Sequence, residues 1–145
     1  MRRCLVLISM ALLCCLTCWS TESEYGLLMQ VRGRDITGLC IIDTSPDGSV
    51  VGTVVNEMGV KAFDFTYANG KAKVLNVIGP MNKWYIRRVI SRDFSFIINN
   101  INGGKDVTVK RRSLRYQPNG DIVATNDRYK ISYTFTPQKS GNETD

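Results

Sequence analysis

Beyond residue 20, apolar and polar positions alternate over short stretches that turn residues separate, which is the pattern of half-buried β-strands. In one such stretch, Phe63, Phe65 and Tyr67 alternate with smaller or polar side chains, and Asn69-Gly70 follows as a hairpin turn. The pattern predicts five strands in the first half of the chain, at residues 25–33, 36–43, 49–56, 60–67 and 71–77. It predicts four more in the second half, at residues 106–112, 113–116, 121–125 and 128–136.

Between these two groups the apolar spacing changes from two residues to three and four, which predicts an amphipathic helix over residues 81–101. The apolar stripe consists of Ile86, Ile90, Phe94, Ile97 and Ile101. Charged residues, among them Lys83, Arg87, Arg88, Arg92 and Asp93, are expected on the remaining, polar side of the helix.

The order of these elements predicts a mainly β (α+β) fold. An antiparallel sheet must cover its apolar face, and one long amphipathic helix is the available cover. We therefore expect a single domain over residues 21–137, built as a curved antiparallel sheet or open β-barrel covered by one helix. The polar residues 138–145 are expected to form a disordered tail.

The first twenty residues are typical of an export signal. Arg2 and Arg3 precede an uncharged, apolar stretch at residues 4–16. Two cleavage schemes remain open. Leu16-Thr17-Cys18 is similar to a bacterial lipoprotein signal with Cys18 as the acylated lipid anchor, whereas cleavage after Ser20 would release a protein without that anchor.

Cysteine and histidine usage argues against catalysis. Four of the five cysteines lie within the first eighteen residues, so Cys40 alone belongs to the predicted domain, and the chain has no histidine. Cys40 sits in an apolar, strand-like run and is interpreted as a core residue rather than a nucleophile. No set of acid, base and nucleophile can be assembled. We therefore expect no enzymatic activity, no metal site and no cofactor.

The chain has 19 Lys and Arg residues against 13 Asp and Glu, a formal charge of +6. One basic concentration falls in the strand predicted at residues 106–112, where alternation would put Lys110 and Arg112 on one face and Arg111 on the other. The predicted export argues against a nucleic-acid partner, and we expect none. Anionic lipid headgroups or an acidic protein fit this charge better, and solvated faces of a helix and a strand fit it as well.

The block from Asn56 through Met58 and Gly59 to Phe63-Asp64-Phe65 resembles the strand–turn–strand of the LolA/LolB-like family. These proteins are periplasmic lipoprotein carriers and outer-membrane receptors, and small Bacteroidetes-type lipoproteins of that fold are also similar. The resemblance implies an incomplete barrel with an apolar cavity for acyl chains. It also implies a membrane-insertion loop with Met58 at its tip, although Met58 could instead fold back into the core.

Two functions follow as hypotheses. The first is a lipid-anchored outer-membrane lipoprotein with a LolB-like open barrel, which would bind membrane lipid or the acyl chains of lipoproteins. Its apolar, lipid-binding interior would be formed by Leu39, Ile41, Val54, Phe63, Phe65, Ile90, Phe94 and Ile97. The second is an anchored scaffold or accessory subunit with a filled barrel, which would bind an outer-membrane protein partner. A continuous apolar cavity would favour the carriage of lipid or acyl chains, and a filled interior would favour the scaffold.

Overall fold

A computed structural model describes residues 19–139, which form a nine-stranded antiparallel sheet and one α-helix. The strands before the helix are β1 (Thr21–Val31), β2 (Arg34–Thr44), β3 (Val50–Asn56), β4 (Lys61–Ala68) and β5 (Lys71–Leu75). A short 3-10 turn (Gly79–Met81) precedes α1 (Trp84–Asn100). The strands after it are β6 (Val107–Val109), β7 (Arg112–Tyr116), β8 (Ile122–Asn126) and β9 (Ile131–Pro137).

The sheet has the spatial order β5-β4-β3-β2-β1-β9-β8-β7-β6. It therefore consists of two meanders joined through β1 and β9, where Leu27 pairs with Phe135. This arrangement confirms the predicted fold class, a curved antiparallel sheet that one helix covers. Within residues 19–139, no helix is both long and apolar enough to cross a membrane.

The helix covers an edge of the sheet as well as its concave face. The backbone N–H groups of Ala72 and Val74, on edge strand β5, donate to the hydroxyl oxygens of Ser95 (2.7 Å) and Ser91 (3.1 Å). These hydroxyls take the place of a further strand, so part of the β5 edge is not free to pair with another chain. Every residue of the buried apolar core lies between Tyr25 and Phe135. The core found among the described residues thus extends over both meanders and the helix.

The strand directions define two ends of the sheet. The upper end holds the turns β1–β2, β3–β4, β6–β7 and β8–β9, together with the start of α1. The lower end holds the start of β1 and the turns β2–β3, β4–β5 and β7–β8.

The prediction of one strand over residues 106–112 is wrong. Lys110 and Arg111 form a tight turn between β6 and β7, and the φ angle of Lys110 is 56°. Neither Lys110 nor Arg111 therefore sits on a strand face, as the alternation had suggested, and only Arg112 does. The sequence Val-Thr-Val-Lys-Arg-Arg-Ser contains no Gly, Pro or Asn at this turn, so the usual turn signals were missing.

Gly52 is required by the packing of β3 against β4. A Cβ atom at Gly52 would lie 2.0 Å from Cζ of Phe65, which is fully buried. We expect Gly52→Ala to lower the free energy of unfolding by about 1–3 kcal/mol, because the ring cannot move without displacing the core. Urea denaturation would measure the change.

Gly26→Ala in β1 is the matched control. The nearest atom to its added Cβ would be Nε2 of Gln138, at 3.0 Å, at the end of an exposed and flexible side chain. We expect a change within about 0.5 kcal/mol. Equal stability of the two variants would contradict the close approach of Phe65 to Gly52.

Candidate functional site

The interior of the curved sheet is filled by aromatic rings around Phe94 of α1. Its ring centroid lies 4.9 Å from that of Phe65, 5.5 Å from Phe63, 5.8 Å from Tyr133 and 6.4 Å from Phe135. All five side chains are at most 1% exposed. Three of the four contacts are edge-to-face, the geometry that the charge distribution of aromatic rings favours.

Six of the eight residues that the sequence assigned to an apolar interior are buried there. They are Val54, Phe63, Phe65, Ile90, Phe94 and Ile97. Leu39 and Ile41 do not belong to this interior. Cys40 and Ile42 are the buried residues of that part of β2, and successive side chains of a strand point to opposite faces. Leu39 and Ile41 are therefore partly buried on the outer face of the sheet.

The void beside Phe63 is small. A void of about 10 Å³ lies between the strands and the 3-10 turn, lined by residues that include Leu27, Met29, Ile36, Phe63 and Met81. A void of this size holds about one water molecule and does not accommodate an acyl chain. In the interior of the sheet, the buried residues that were predicted to bind an acyl chain pack against one another.

A buried carboxylate lies beside the aromatic cluster. Asp93, which is 2% exposed, accepts hydrogen bonds from Nε of Arg112 (2.8 Å), Nδ2 of Asn126 (2.7 Å) and the hydroxyl of Tyr133 (2.8 Å). Burial and the neighbouring Asp93 carboxylate raise the pKa of Tyr133 well above its ordinary value. The phenol therefore remains a hydrogen-bond donor to Asp93.

The assignment of Asp93 to the polar side of the helix is wrong. Asp93 follows Ile90 by three residues and precedes Ile97 by four, so it belongs to the buried stripe of α1. That spacing was the available signal for a buried polar residue. The partners of Asp93 come from three different strands, however, and no local pattern indicates them. Because this network satisfies both carboxylate oxygens, it is suited to fixing α1 against β7, β8 and β9.

Met58 lies at the tip of the β3–β4 turn and is 87% exposed. The side-chain oxygen of Asn56 accepts hydrogen bonds from the backbone N–H groups of Met58 (3.0 Å) and Val60 (2.9 Å). Gly59, with φ of 76°, donates its N–H to the backbone oxygen of Asn56 at 2.9 Å. The alternative that Met58 folds back into the core is therefore wrong. Its role in membrane insertion stays a prediction.

A shallow concavity lies on the outer face of the sheet, beside the Met58 turn. It measures about 520 Å³ and is open to solvent. Its apolar lining includes Leu28, Leu39 and Val55, and Glu57 and Gly59 of the Met58 turn lie at its border. The apolar surface that a ligand could reach is thus on the outside of the sheet.

Cys40 is fully buried in β2 and forms no disulfide. Desolvation by burial raises the pKa of its thiol to about 12, so the nucleophilic thiolate is scarcely populated near neutral pH. Among residues 19–139, no three His, Cys, Asp or Glu side chains converge as metal ligands would. Cys18 and the predicted export signal lie outside the described residues, as do residues 140–145 of the predicted tail.

Comparison of the sequence with protein families and with curated proteins finds no match to this chain. The resemblance to the LolA/LolB-like family therefore stays a prediction.

Proposed function

We propose that this chain is an exported, non-enzymatic scaffold or accessory subunit at the outer membrane, which binds a protein partner through its outer surface. The observation that carries the proposal is the contrast between the two faces of the sheet. Inside, the aromatic rings around Phe94 contact one another and the void beside Phe63 measures about 10 Å³, whereas an apolar concavity of about 520 Å³ opens on the outer face. Binding on the outer face is the use that this arrangement supports best.

The chemistry of the outer concavity fits a protein surface. Leu28, Leu39 and Val55 form an apolar patch, and the carboxylate of Glu57 stands at its border, where it accepts a hydrogen bond from Thr37. Protein interfaces combine an apolar centre with a polar rim in this way. A partner that covers the patch would remove these side chains from water without any change in the filled interior.

In vivo photo-crosslinking tests this proposal. A photoreactive amino acid at Leu39 would lie within the concavity, and the same amino acid at Val123, on the outer face of β8, is the matched control. We expect Leu39 to give one adduct of defined mass that is absent from the Val123 sample. The proposal is wrong if neither position gives an adduct, or if both give the same ones.

A second candidate function is the handling of lipidated cargo at the surface. The observation that favours it is the 87% exposure of Met58, on a turn that borders the apolar concavity. An apolar side chain at a loop tip can enter the headgroup boundary of a bilayer or contact an acyl chain. For this second candidate function, the lipidated cargo would bind against the outer face of the sheet.

Titration with a fluorescent fatty acid distinguishes the two candidates. Handling of lipid predicts saturable binding that Met58→Glu weakens, and the scaffold predicts no saturable binding. Met58→Glu should leave the stability unchanged because the side chain contacts little of the fold. Val51→Glu, at an apolar position that is 60% exposed on the outer face of β3, is the matched control for the added charge.

A further inference from the structure

The two ends of the sheet differ in charge. At the upper end, residues 32–35, 110–111 and 127–130, which are three turns and the first two residues of β2, contain six basic residues and two aspartates, all exposed. We call these residues the basic rim. The fourth turn of this end, at residues 57–60, adds one glutamate. The basic residues are Arg32, Arg34, Lys110, Arg111, Arg128 and Lys130. The turns of the lower end, at residues 45–49, 69–70, 102–106 and 117–121, contain one lysine and three aspartates. Positive charge is therefore concentrated at the upper end.

Three of these cations occupy an unfavourable backbone conformation. Arg32, Lys110 and Lys130 have φ angles of 48°, 56° and 55°, in the left-handed region. Elsewhere among residues 19–139, positive φ angles occur only at glycines and at two asparagines, the residues that adopt them most readily. Each of the three turns thus places a cation where Gly or Asn would be less strained. Local strain of this kind is concentrated at functional surfaces.

The fold holds two of these turns in place. The side-chain oxygen of Asn126 accepts the backbone N–H of Arg128 at 3.1 Å, and the N–H of Asp127 donates to the backbone oxygen of Arg111 at 2.9 Å. Asn126 is itself bonded to the buried carboxylate of Asp93. The buried network therefore supports the two turns of the basic rim at residues 110–111 and 127–130.

The cations of the basic rim are not neutralised within the described part of the chain. The ion pairs formed among residues 19–139 are Lys61–Asp64 and Arg112–Asp93, and neither includes one of the six basic residues. Their charge is consequently available to a partner.

Exposed apolar and aromatic side chains accompany this charge. Val109, beside the β6–β7 turn, is 51% exposed, and Tyr129 is 37% exposed with the Arg128 guanidinium 5.4 Å from its ring centroid. Trp84, at the start of α1, is 68% exposed at the same end. Basic residues together with aromatic rings are typical of surfaces that meet the headgroup region of a membrane.

We infer that the basic rim docks on the surface of an anionic phospholipid bilayer. Its turns lie at the upper ends of six neighbouring strands, in the spatial order β2-β1-β9-β8-β7-β6. These strands span about 24 Å at the usual spacing of about 4.8 Å between strands. Charge spread over such a width fits a surface of many headgroups better than a single anionic ligand. The basic rim is distinct from the outer concavity, so this inference and the proposed partner binding can fail separately.

Cosedimentation of residues 19–145, which contain every strand and the helix of the described sheet, with lipid vesicles tests the inference. We expect binding to vesicles that contain phosphatidylglycerol, little binding to pure phosphatidylcholine, and release by added salt. The variant R32N/K110N/K130N should bind the anionic vesicles on the order of a hundredfold more weakly, at about fivefold per lost cation. Because Asn tolerates the left-handed conformation, this variant should be at least as stable as the native sequence.

The matched control removes the same charge from the lower end, as K71N/K105N/K139N, and should retain most of the binding. The inference is wrong if the native domain does not bind anionic vesicles at low salt. It is also wrong if the two triple variants lose binding equally, since net charge alone would then explain it. Binding of poly-glutamate through the same three cations without binding of vesicles would identify a protein-docking face and would likewise overturn the inference.

Discussion

Arg112→Met is expected to lower the free energy of unfolding by about 3–5 kcal/mol, because it leaves a buried carboxylate without its cation. Nε of Arg112 lies 2.8 Å from Oδ1 of Asp93, and the Asp93 side chain is 2% exposed. Asn126 and Tyr133 would remain as neutral hydrogen-bond donors. They can still donate hydrogen bonds to the carboxylate of Asp93, but they cannot balance its negative charge. Urea denaturation at neutral pH would measure the loss.

Arg115→Met provides the matched control for this prediction. Arg115 lies on the same strand and is exposed, so its replacement should change stability by no more than about 0.5 kcal/mol. The double variant R112M/D93N removes both charges and should be more stable than R112M alone, which would give a favourable coupling energy in a double-mutant cycle. If R112M is no less stable than R115M, Asp93 is not held as an ion pair in solution.

Phe94→Ala is expected to cost about 3–5 kcal/mol, since it removes the ring that four other aromatic side chains contact. The removed ring should leave an apolar void between α1 and the sheet, lined by Phe63, Phe65 and Phe135. Such voids are dry and bind small apolar molecules. We therefore expect benzene to raise the melting temperature of F94A and to leave that of the native protein unchanged.

Tyr85→Ala, on the same helix at a position that is 48% exposed, controls for loss of an aromatic residue from α1. It should cost much less than F94A and should not create a response to benzene. Phe94→Leu opens a smaller void and can replace F94A if that variant is too unstable to purify. A response to benzene in the native protein would show that the interior admits ligands, and it would favour carriage over the scaffold.

Most of the fold could be predicted because its signals are local. The alternation of apolar residues indicated all nine strands, and the change to helical spacing indicated α1. Some turns with Gly, Pro or Asn, such as Asn69-Gly70, were placed correctly, but Arg32-Gly33 and residues 128–130 had been assigned to strands and form turns instead. The β6–β7 turn was missed because two cations occupy it, one of them in a conformation that usually selects Gly or Asn.

The interior and the candidate site were harder to predict from the sequence than the strands and the helix. Leu39-Cys40-Ile41-Ile42 is apolar at every position, so its inward face could not be chosen until the pairing with β1 and β3 was known. The partners of Asp93 are 19, 33 and 40 residues away along the chain, and only the folded sheet brings them together. The exposed position of Met58 depended on hydrogen bonds to Asn56, although the Asn and Gly of that turn were visible in the sequence.

The direction of β1 has a consequence for the predicted lipid anchor. The strand begins at Thr21, three residues after Cys18, and runs upward for 11 residues, which at about 3.3 Å per residue is about 35 Å. An acyl group on Cys18 would thus tether the lower end to one bilayer and leave the basic rim facing away from it. A bilayer bound at the rim would then be a second one. The acylated protein should bridge vesicles into clusters that scatter light, whereas the protein without its lipid should only coat them.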